Sequence, residues 1–245
     1  MTTSRDILAY AFRHDGDWTK IARSIKAHEP AQPVFCRYPY VTFLDPDYPA
    51  CFRRLRYPPW ILFYQGDLSL LDKPGAAVIG SRDATTQALR NAWNIAACLS
   101  ERYVIVSGLA RGIDTQAHRS AMEKGRTVGV LGCGIDRIYP RENERLGRQM
   151  KQEQLVISEY PPGSAPFPAH FPWRNRLIAA AARVVVVVEA AEKSGTMHTV
   201  EQALELSVPV WCVPVDFSRT DHRGCNYLIS QGAQILCDLQ TCHEI

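Results

Sequence analysis

The sequence predicts an α/β protein built on an extended Rossmann-like, doubly wound and mostly parallel sheet, with a short helical appendage at its N-terminus. From Gly75 onward, short runs rich in Val, Ile and Leu alternate with longer segments of helical character. Continuous β-branched runs are typical of strands buried on both faces of a sheet. Their alternation with helices predicts a doubly wound parallel sheet.

The predicted elements after Gly75 follow one another regularly. We expect strands at 76–80, 103–108, 127–132, 155–159, 183–189 and 208–214. We expect helices at 84–101, 113–124, 141–153, 173–181 and 195–206. The segment 222–236 predicts a helix followed by a short strand.

The residues before Gly75 are less regular. Residues 1–35 predict one or two short amphipathic helices, and 41–67 hold proline-rich turns and two short apolar segments. We expect the second stretch to pack on the main domain as an extension of it. The predicted organisation is an appendage over 1–40 and one domain over 41–245, with no C-terminal winged helix.

The composition is that of a globular protein, and it does not by itself indicate a nucleic-acid-binding one. The chain of 245 residues is 46% apolar and 22% charged, which is ordinary for a globular protein. A net charge of +3 is too small to indicate nucleic-acid binding, so an anionic partner must meet a local patch.

The eight cysteines form no CxxC pair. This predicts free thiols in a reducing compartment and no zinc or other metal site. The N-terminus lacks a signal-peptide core, and the apolar run at Val184–Val188 is far shorter than the ~20 residues of a membrane span. We expect a cytoplasmic protein with no membrane association.

Glycine-rich turns follow several predicted strands, where an open parallel sheet binds its ligands. Small residues let the backbone approach an oxyanion, and the N–H groups at a helix start favour negative charge. The alternative is that the glycines only turn the chain, but several such turns at one edge favour an anion site. Its predicted residues are Gly80, Ser81, Arg82, Ser107, Gly108, Arg111, Gly112, Lys193, Ser194, Gly195 and Thr196.

A nicotinamide cofactor is disfavoured, and we expect no cofactor. The first strand is followed by GSRDAT in place of GxGxxG, and the second ends in Ser107-Gly108 without the acidic residue that would hold a ribose.

The segment 167–176 is the strongest sign of nucleic acid. Arg174 and Arg176 flank Asn175, and guanidinium groups form bidentate hydrogen bonds with phosphate. Phe171 and Trp173 could stack on bases. The alternative is a core role, which we favour slightly for Phe171 and leave open for Trp173.

The sequence offers no convincing catalytic set, and we expect no enzyme activity. His118 fits a helix-surface or capping residue as well as a base, and His198 is ambiguous. Asp114 is expected to interact with a helix dipole. Glu189 could orient the Arg174 and Arg176 pair.

Eight motifs occur in the order found in one family. They are LDPDYPACFRRLRYPPWILFYQGDLSLL, AVIGSR, VIVSGLARGIDTQAH, GRTVGVLGCGIDRIYPREN, SEYPPG, FPWRNRLIA, VVVVEAAEKSGTMHTVEQAL and GCNYLISQGAQI. Over residues 42–238 the chain therefore resembles the DNA-processing protein A family, called DprA or Smf.

The resemblance implies a protein that binds single-stranded DNA without sequence preference, protects incoming DNA in natural transformation and helps to load the RecA recombinase. It implies a homodimer formed through the region of Asn226–Leu236. It also implies DNA contacts at Ser81, Arg82, Ser107, Gly108, Gly112, Arg174, Asn175, Arg176, Lys193, Ser194 and Gly195.

One departure from the family's pattern follows the last long strand. The usual Val-Pro-Gly is Val213-Pro214-Val215 here, so the loop over 215–223 could have another shape. Related Rossmann-like enzymes that cleave nucleoside monophosphates carry a GGxGTxxE turn. Here Ser194-Gly195-Thr196 precedes Glu201 with a different spacing, so this glycosidase activity and a nucleotide-sensing role stand as alternatives.

Overall fold

The computed structural model describes residues 2–216, 218–219 and 221–245. Its strands are β1 (Tyr40–Thr42), β2 (Ile61–Gly66), β3 (Gly75–Ile79), β4 (Val104–Ser107), β5 (Thr127–Val130), β6 (Leu155–Ser158), β7 (Val184–Val187), β8 (Val210–Cys212) and β9 (Gln234–Ile235). Its α-helices are α1 (Ser4–Arg13), α2 (Trp18–Lys26), α3 (Ala50–Arg53), α4 (Thr86–Leu99), α5 (Ile113–Lys124), α6 (Glu144–Glu153), α7 (His170–Ala180), α8 (Gly195–Glu205), α9 (Gly224–Ser230) and α10 (Leu239–Glu244).

All these strands join one sheet, in the order β1-β2-β6-β5-β4-β3-β7-β8-β9. The strands from β6 to β9 along this order are parallel, while β1 and β2 add an antiparallel edge beside β6. The chain winds outward from β3 in one direction to β6, and then returns to place β7 on the other side of β3. The switch of winding direction therefore lies between β3 and β7, where such sheets open a crevice at their carboxyl edge.

The predicted fold class is confirmed. The observed strands from Gly75 onward lie within the predicted apolar runs or begin one residue before them. The agreement is close because a strand buried on both faces is apolar along its whole length, so the apolar run shows where the strand begins and ends. The helix α7 starts at His170, three residues before the prediction. Pro172 lies in its first turn, where a missing backbone N–H costs nothing.

Helices cover both faces of the sheet, and side chains alternate between them. Ala77, Ile79 and Val185 pack with α7 and α8 on one face, in the cluster that holds Leu177 and Val200. On the other face, Ala76, Val78 and Val184 pack against the alanine-rich sides of α4 and α5 and the C-terminal α10. The two layers fix the carboxyl ends of β3, β4 and β7 relative to one another.

The N-terminal helices pack on the half of the sheet that holds β2, β5 and β6. Ile7 and Tyr10 of α1 are buried together with Leu131, Met150 and Val156. The Tyr10 hydroxyl donates to the backbone oxygen of Glu29 at 2.5 Å. The split into domains at 1–40 and 41–245 remains a prediction.

The segment predicted to extend the main domain supplies β1 and β2. Phe63 of β2 pairs with Ser158 of β6 in antiparallel register, and Tyr64 with Ile157. The Tyr48 hydroxyl donates to the Pro59 backbone oxygen at 2.8 Å, which ties the two proline-rich turns together.

The loop over 215–223 is attached to α9. The Asn226 amide accepts from the Val215 backbone N–H at 3.0 Å and donates to the Val215 backbone oxygen at 3.0 Å. Phe217 and Thr220 of this loop lie outside the described residues. In the part of the chain that the structure describes, no helix is both long and apolar enough to cross a membrane.

Candidate nucleic-acid interface

A cleft opens at the carboxyl edge of the sheet, at the switch between β3 and β7. It consists of two adjoining cavities of about 540 and 330 Å³, which share Arg82, Ala110, Tyr139, Phe171 and Arg174 in their walls. Of the residues predicted from the sequence, the cleft is lined by Gly80, Ser81, Arg82, Gly108, Arg111, Arg174, Asn175, Ser194, Gly195 and Thr196. Most of the predicted anion site therefore lies on one surface.

The turns after β3 and β4 touch each other beneath the cleft. The Ile113 backbone N–H donates to the Ser81 oxygen at 3.2 Å, and the Ser81 N–H donates to the Glu189 oxygen at 2.7 Å. Gly112 has φ +74°, and a Cβ at this position would lie 2.2 Å from the Ser81 oxygen. Only glycine allows this close approach. Gly112 therefore determines how closely the Ser81-Arg82 turn packs on the start of α5, although Gly112 does not itself line the cleft.

The start of α8 presents a buried hydroxyl that has no hydrogen-bond partner among the described residues. Ser194 is the N-cap, yet its side chain does not cap the helix, and its hydroxyl is buried with no hydrogen-bond partner among the described residues. A Cβ added at Gly195 would have no neighbour within 4 Å, so the backbone there faces open space. Free N–H groups at a helix start attract anions. Lys193 is exposed beside this turn.

Two arginines reach the cleft from the opposite side. Arg82 is exposed, and its guanidinium carbon lies 5.5 Å from the centre of the Phe171 ring. Arg111 is exposed and pairs loosely with Asp83, at 3.7 Å. The Phe171 ring is half-buried against Tyr139, with 5.5 Å between ring centres. An aromatic face and two exposed cations therefore line the same part of the cleft.

Arg174 is buried beneath the cleft, at 3% exposure. Its Nη1 donates to the backbone oxygens of Gly108, at 2.9 Å, and Val130, which terminate the neighbouring strands β4 and β5. Burial lowers the pKa of Arg174 to about 10, and the carboxylate of Asp114 opposes that shift. A Cβ on Gly108 would lie 2.6 Å from the guanidinium. Gly108 therefore makes room for the arginine that holds the two strand ends.

Arg176 lies on the other side of α7 and outside the cleft. Its guanidinium binds the Glu159 carboxylate through two bonds of 2.7 and 2.6 Å, and both side chains are at most 4% exposed. It also donates to the Tyr57 oxygen at 3.1 Å and stacks over the Trp173 ring at 4.2 Å. The structure thus separates the two arginines predicted to act together.

Asn175 connects α7 to the start of α8. Its Nδ2 donates to the Gly195 backbone oxygen at 3.2 Å, and its Oδ1 accepts from Arg174 Nε at 3.2 Å. Of the remaining predicted residues, Ser107 is buried and donates to the Val78 oxygen at 2.7 Å, so its hydroxyl is engaged inside the protein.

The predicted role of Glu189 is wrong. Its carboxylate accepts from the Thr85 N–H at 2.9 Å and from the Thr85 hydroxyl at 2.8 Å, next to the start of α4. The carboxylate that binds Arg176 is that of Glu159, directly after β6, while Arg174 binds backbone oxygens. Sequence reasoning missed Glu159, although its place at the end of a strand, like that of Glu189, was a usable signal.

Asp114 does more than interact with a helix dipole. It is buried and accepts from the backbone N–H groups of Gly108, at 3.0 Å, and Ala110, at 3.3 Å. Burial raises its pKa, while Arg174 and these N–H donors act against the rise. The carboxylate shapes the turn after β4 from within.

His118 is not at the helix surface, contrary to one of the predicted roles. It is fully buried, its Nδ1 lies 2.7 Å from the Thr127 hydroxyl, and its Nε2 has no partner among the described residues. Burial lowers its pKa to about 3, and the positive charge of Arg174 adds to the shift. The imidazole is neutral and does not line the cleft.

The residues of the alternative enzyme site are also apart. Glu201 faces a groove beside Arg54 and Tyr57 and lies 3.3 Å from His198. It does not line the cleft that holds Ser194 and Gly195.

Trp173 is half-buried beside Tyr57 and Arg176, away from the cleft. Across the described residues, no group of three or more His, Cys, Asp or Glu side chains could hold a metal ion.

Comparison with known proteins identifies the family. The family model described as DNA recombination-mediator protein A matches residues 39–245. The chain belongs to the DprA family. DNA processing protein DprA of Streptococcus pneumoniae is 40% identical over 203 residues, 82% of this chain and 72% of that protein. Protein Smf of Escherichia coli is 38% identical over 185 residues, 74% of this chain and 49% of that protein. Some relatives are therefore about twice as long as the matched region.

Solved structures of DprA proteins share the fold. The X-ray structure of DprA from Streptococcus pneumoniae superposes with a TM-score of 0.81 at 33% identity, covering 97% of this chain and 91% of that one. DprA of Helicobacter pylori, solved for its single-stranded DNA binding mode, gives 0.77 at 33% identity, covering 85% and 95%. A molybdenum cofactor binding protein of Rippkaea orientalis gives 0.51 at 19% identity, with 70% and 94% covered, and shares the fold alone.

Proposed function

We propose that the cleft binds single-stranded DNA without sequence preference, and that the protein acts in the processing of incoming DNA during natural transformation and recombination. The observation that carries the proposal is the unpartnered Ser194 hydroxyl beside the open backbone of Gly195, facing Arg82 across the cleft. A buried polar group without a partner is costly unless a ligand completes it. The Helicobacter pylori relative, named for single-stranded DNA binding, supports the choice of anion.

The proposed contacts fall into two groups. Arg82, Arg111 and Lys193 are exposed cations that supply phosphate contacts. The backbone over 194–196, at the start of α8, supplies N–H donors, assisted by Asn175 and Thr196, whereas the N–H groups of Ser81, Gly108 and Ala110 already donate inside the protein. Phe171 offers a ring face on which a base can stack, whatever its identity. None of these groups reads base edges, which is why no sequence preference is expected.

The buried arginines have supporting roles in this proposal. Arg174 holds the ends of β4 and β5 and adds positive charge below the phosphates. Arg176 locks α7 against Glu159 and acts on DNA only through the position of the helix. Ser107, Gly108 and Gly112 shape the turns.

The partners are proposals as well. We place the protein in the cytoplasm, acting without metal or cofactor, and we propose that it helps to load RecA. We propose a homodimer through Asn226–Leu236, where β9 forms the edge of the sheet. Tyr227 and Ile235 are 50% and 44% exposed at this edge. An exposed edge strand with apolar neighbours favours pairing with a second copy.

The test is the affinity of the intact protein for oligo-dT of increasing length, by filter binding at low salt. We expect binding that rises with length and is similar for mixed-sequence oligonucleotides. Arg82→Ala should weaken binding for every sequence, while Arg183→Ala, an exposed arginine at the opposite edge of the sheet, should not. No affinity for oligo-dT would refute the proposal. Release of free base from nucleoside monophosphates would favour the glycosidase alternative.

A further inference from the structure

A second groove runs between α4 and α5, outside the cleft. It has a volume of about 450 Å³ and is lined by Thr86, Leu89, Arg90, Trp93, Asn94 and Gln116. Thr86 and Gln116 lie in the first turns of their helices, which begin at the same carboxyl edge of the sheet as the cleft. The groove therefore starts beside the turns that carry Arg82 and Arg111.

The Trp93 ring lacks the packing that explains the other tryptophans. Trp18 stacks on Trp60 with ring centres 5.3 Å apart, Trp173 packs against Tyr57, and Trp211 packs against the core. Trp93 is half-buried, and within the described residues it joins no hydrophobic core cluster and no aromatic pair. Its backbone oxygen accepts from the Ser120 hydroxyl at 2.7 Å, a bond that joins α4 to α5 at the half-buried tryptophan.

The charge of the groove is positive. Arg90 is exposed and makes no ion pair among the described residues, and α4 contains no Asp or Glu. Arg119 is exposed on α5, three residues after the groove residue Gln116. Two other grooves carry charges of both signs: one is lined by Arg54, Arg56, Glu201 and Glu205, and the other by Lys20, Asp15 and Asp17. The groove between α4 and α5 has Arg90 as its charged side chain and no carboxylate in its lining that would repel a phosphate.

We propose that this groove is the continuation of the single-stranded DNA track, in which Trp93 stacks on a base and Arg90 contacts a phosphate. The inference rests on the proposed function of the cleft. An aromatic face beside an unpaired cation is the combination that single strands use without sequence readout. Asn94 and Gln116 supply neutral donors that suit phosphate or base.

The experiment compares two lengths of oligo-dT, of about 4 and about 16 nucleotides, which span the site sizes of single-strand-binding folds. We expect Trp93→Ala to weaken binding of the long oligonucleotide by about 5- to 100-fold and to leave the short one unchanged. Arg90→Ala should lower the slope of log affinity against log salt by about 0.7 for the long oligonucleotide alone. Arg82→Ala should weaken both lengths, and Arg183→Ala neither.

A second measurement on the unaltered chain avoids any effect of the substitutions on folding. Oligo-dT carrying 5-iodouracil is irradiated with the wild-type protein, and the crosslinked peptide is identified by mass spectrometry. An adduct at Trp93 with the long oligonucleotide supports the proposal. It is overturned if Arg90→Ala and Trp93→Ala bind both lengths like wild type and no adduct forms at Trp93. In that outcome the proposed function still stands if Arg82→Ala weakens both lengths, whereas a wild-type protein that binds neither length refutes both.

Discussion

The Arg176→Ala variant should be less stable than the wild-type protein but should keep the proposed DNA-binding cleft. The guanidinium and the Glu159 carboxylate are 4% and 3% exposed and are joined by two short bonds. Removal of the arginine leaves a buried carboxylate without its partner, a change that costs about 3–5 kcal/mol. For a chain of this size, the melting temperature should fall by about 6–20 °C.

The assay combines urea unfolding with oligo-dT binding, measured well below the melting temperature of each variant. We expect Arg176→Ala to bind within about twofold of wild type while folded, because its guanidinium lies outside the cleft. Glu159→Gln should lose a similar amount of stability, and the double variant should show a coupling energy of about 2–3 kcal/mol. Arg183→Ala serves as the exposed control, within about 0.5 kcal/mol of wild type. A stability change below about 1 kcal/mol, together with a tenfold loss of affinity, would show that Arg176 contacts DNA directly.

Three further predictions concern the scaffold and the assembly. Gly112→Ala should destabilise the protein by about 1–3 kcal/mol in urea melts, because φ is +74° and the new Cβ would meet the Ser81 oxygen; unchanged stability would contradict the geometry. Burial lowers the pKa of His118 to about 3 in the folded protein, so as the pH falls the unfolded chain binds a proton at this residue before the folded protein does. Its contribution to stability is complete above about pH 6.5 and decreases toward pH 3, and His118→Leu should flatten this part of the pH profile. Ile235→Asp at the exposed edge strand should shift sedimentation toward monomer, whereas an unchanged dimer would place the interface elsewhere.

The sheet could be predicted from the sequence because its signal is local. Each parallel strand is a short β-branched run buried on both faces, so composition alone indicates position and length. The segment ILFYQG was recognised as apolar, but its antiparallel pairing with β6 depends on contacts about ninety residues away in the chain. No local pattern encodes such a pairing.

The sequence predicts where the cleft lies, but it does not predict which of its arginines are buried or what they bind. Glycine-rich turns at strand ends predicted the cleft, since the carboxyl edge of the sheet follows from strand order. The roles of the arginines depend on burial, and a buried guanidinium must be satisfied by partners that only the fold brings near it. Arg174 donates to backbone oxygens at the ends of two strands, and Arg176 donates to the Glu159 carboxylate. Glu189, which the sequence offered for that role because it ends a buried strand, binds Thr85 instead.

The salt dependence of oligo-dT binding tests the central claim most directly. The intact protein, Arg82→Ala and Arg183→Ala are titrated across a range of salt concentrations, and log affinity is plotted against log salt. If Arg82 contacts a phosphate in the cleft, its loss should weaken binding at every sequence and reduce the slope by about 0.7, while Arg183→Ala keeps the wild-type slope. Equal slopes for all three proteins would show that the strand does not bind at this edge of the sheet.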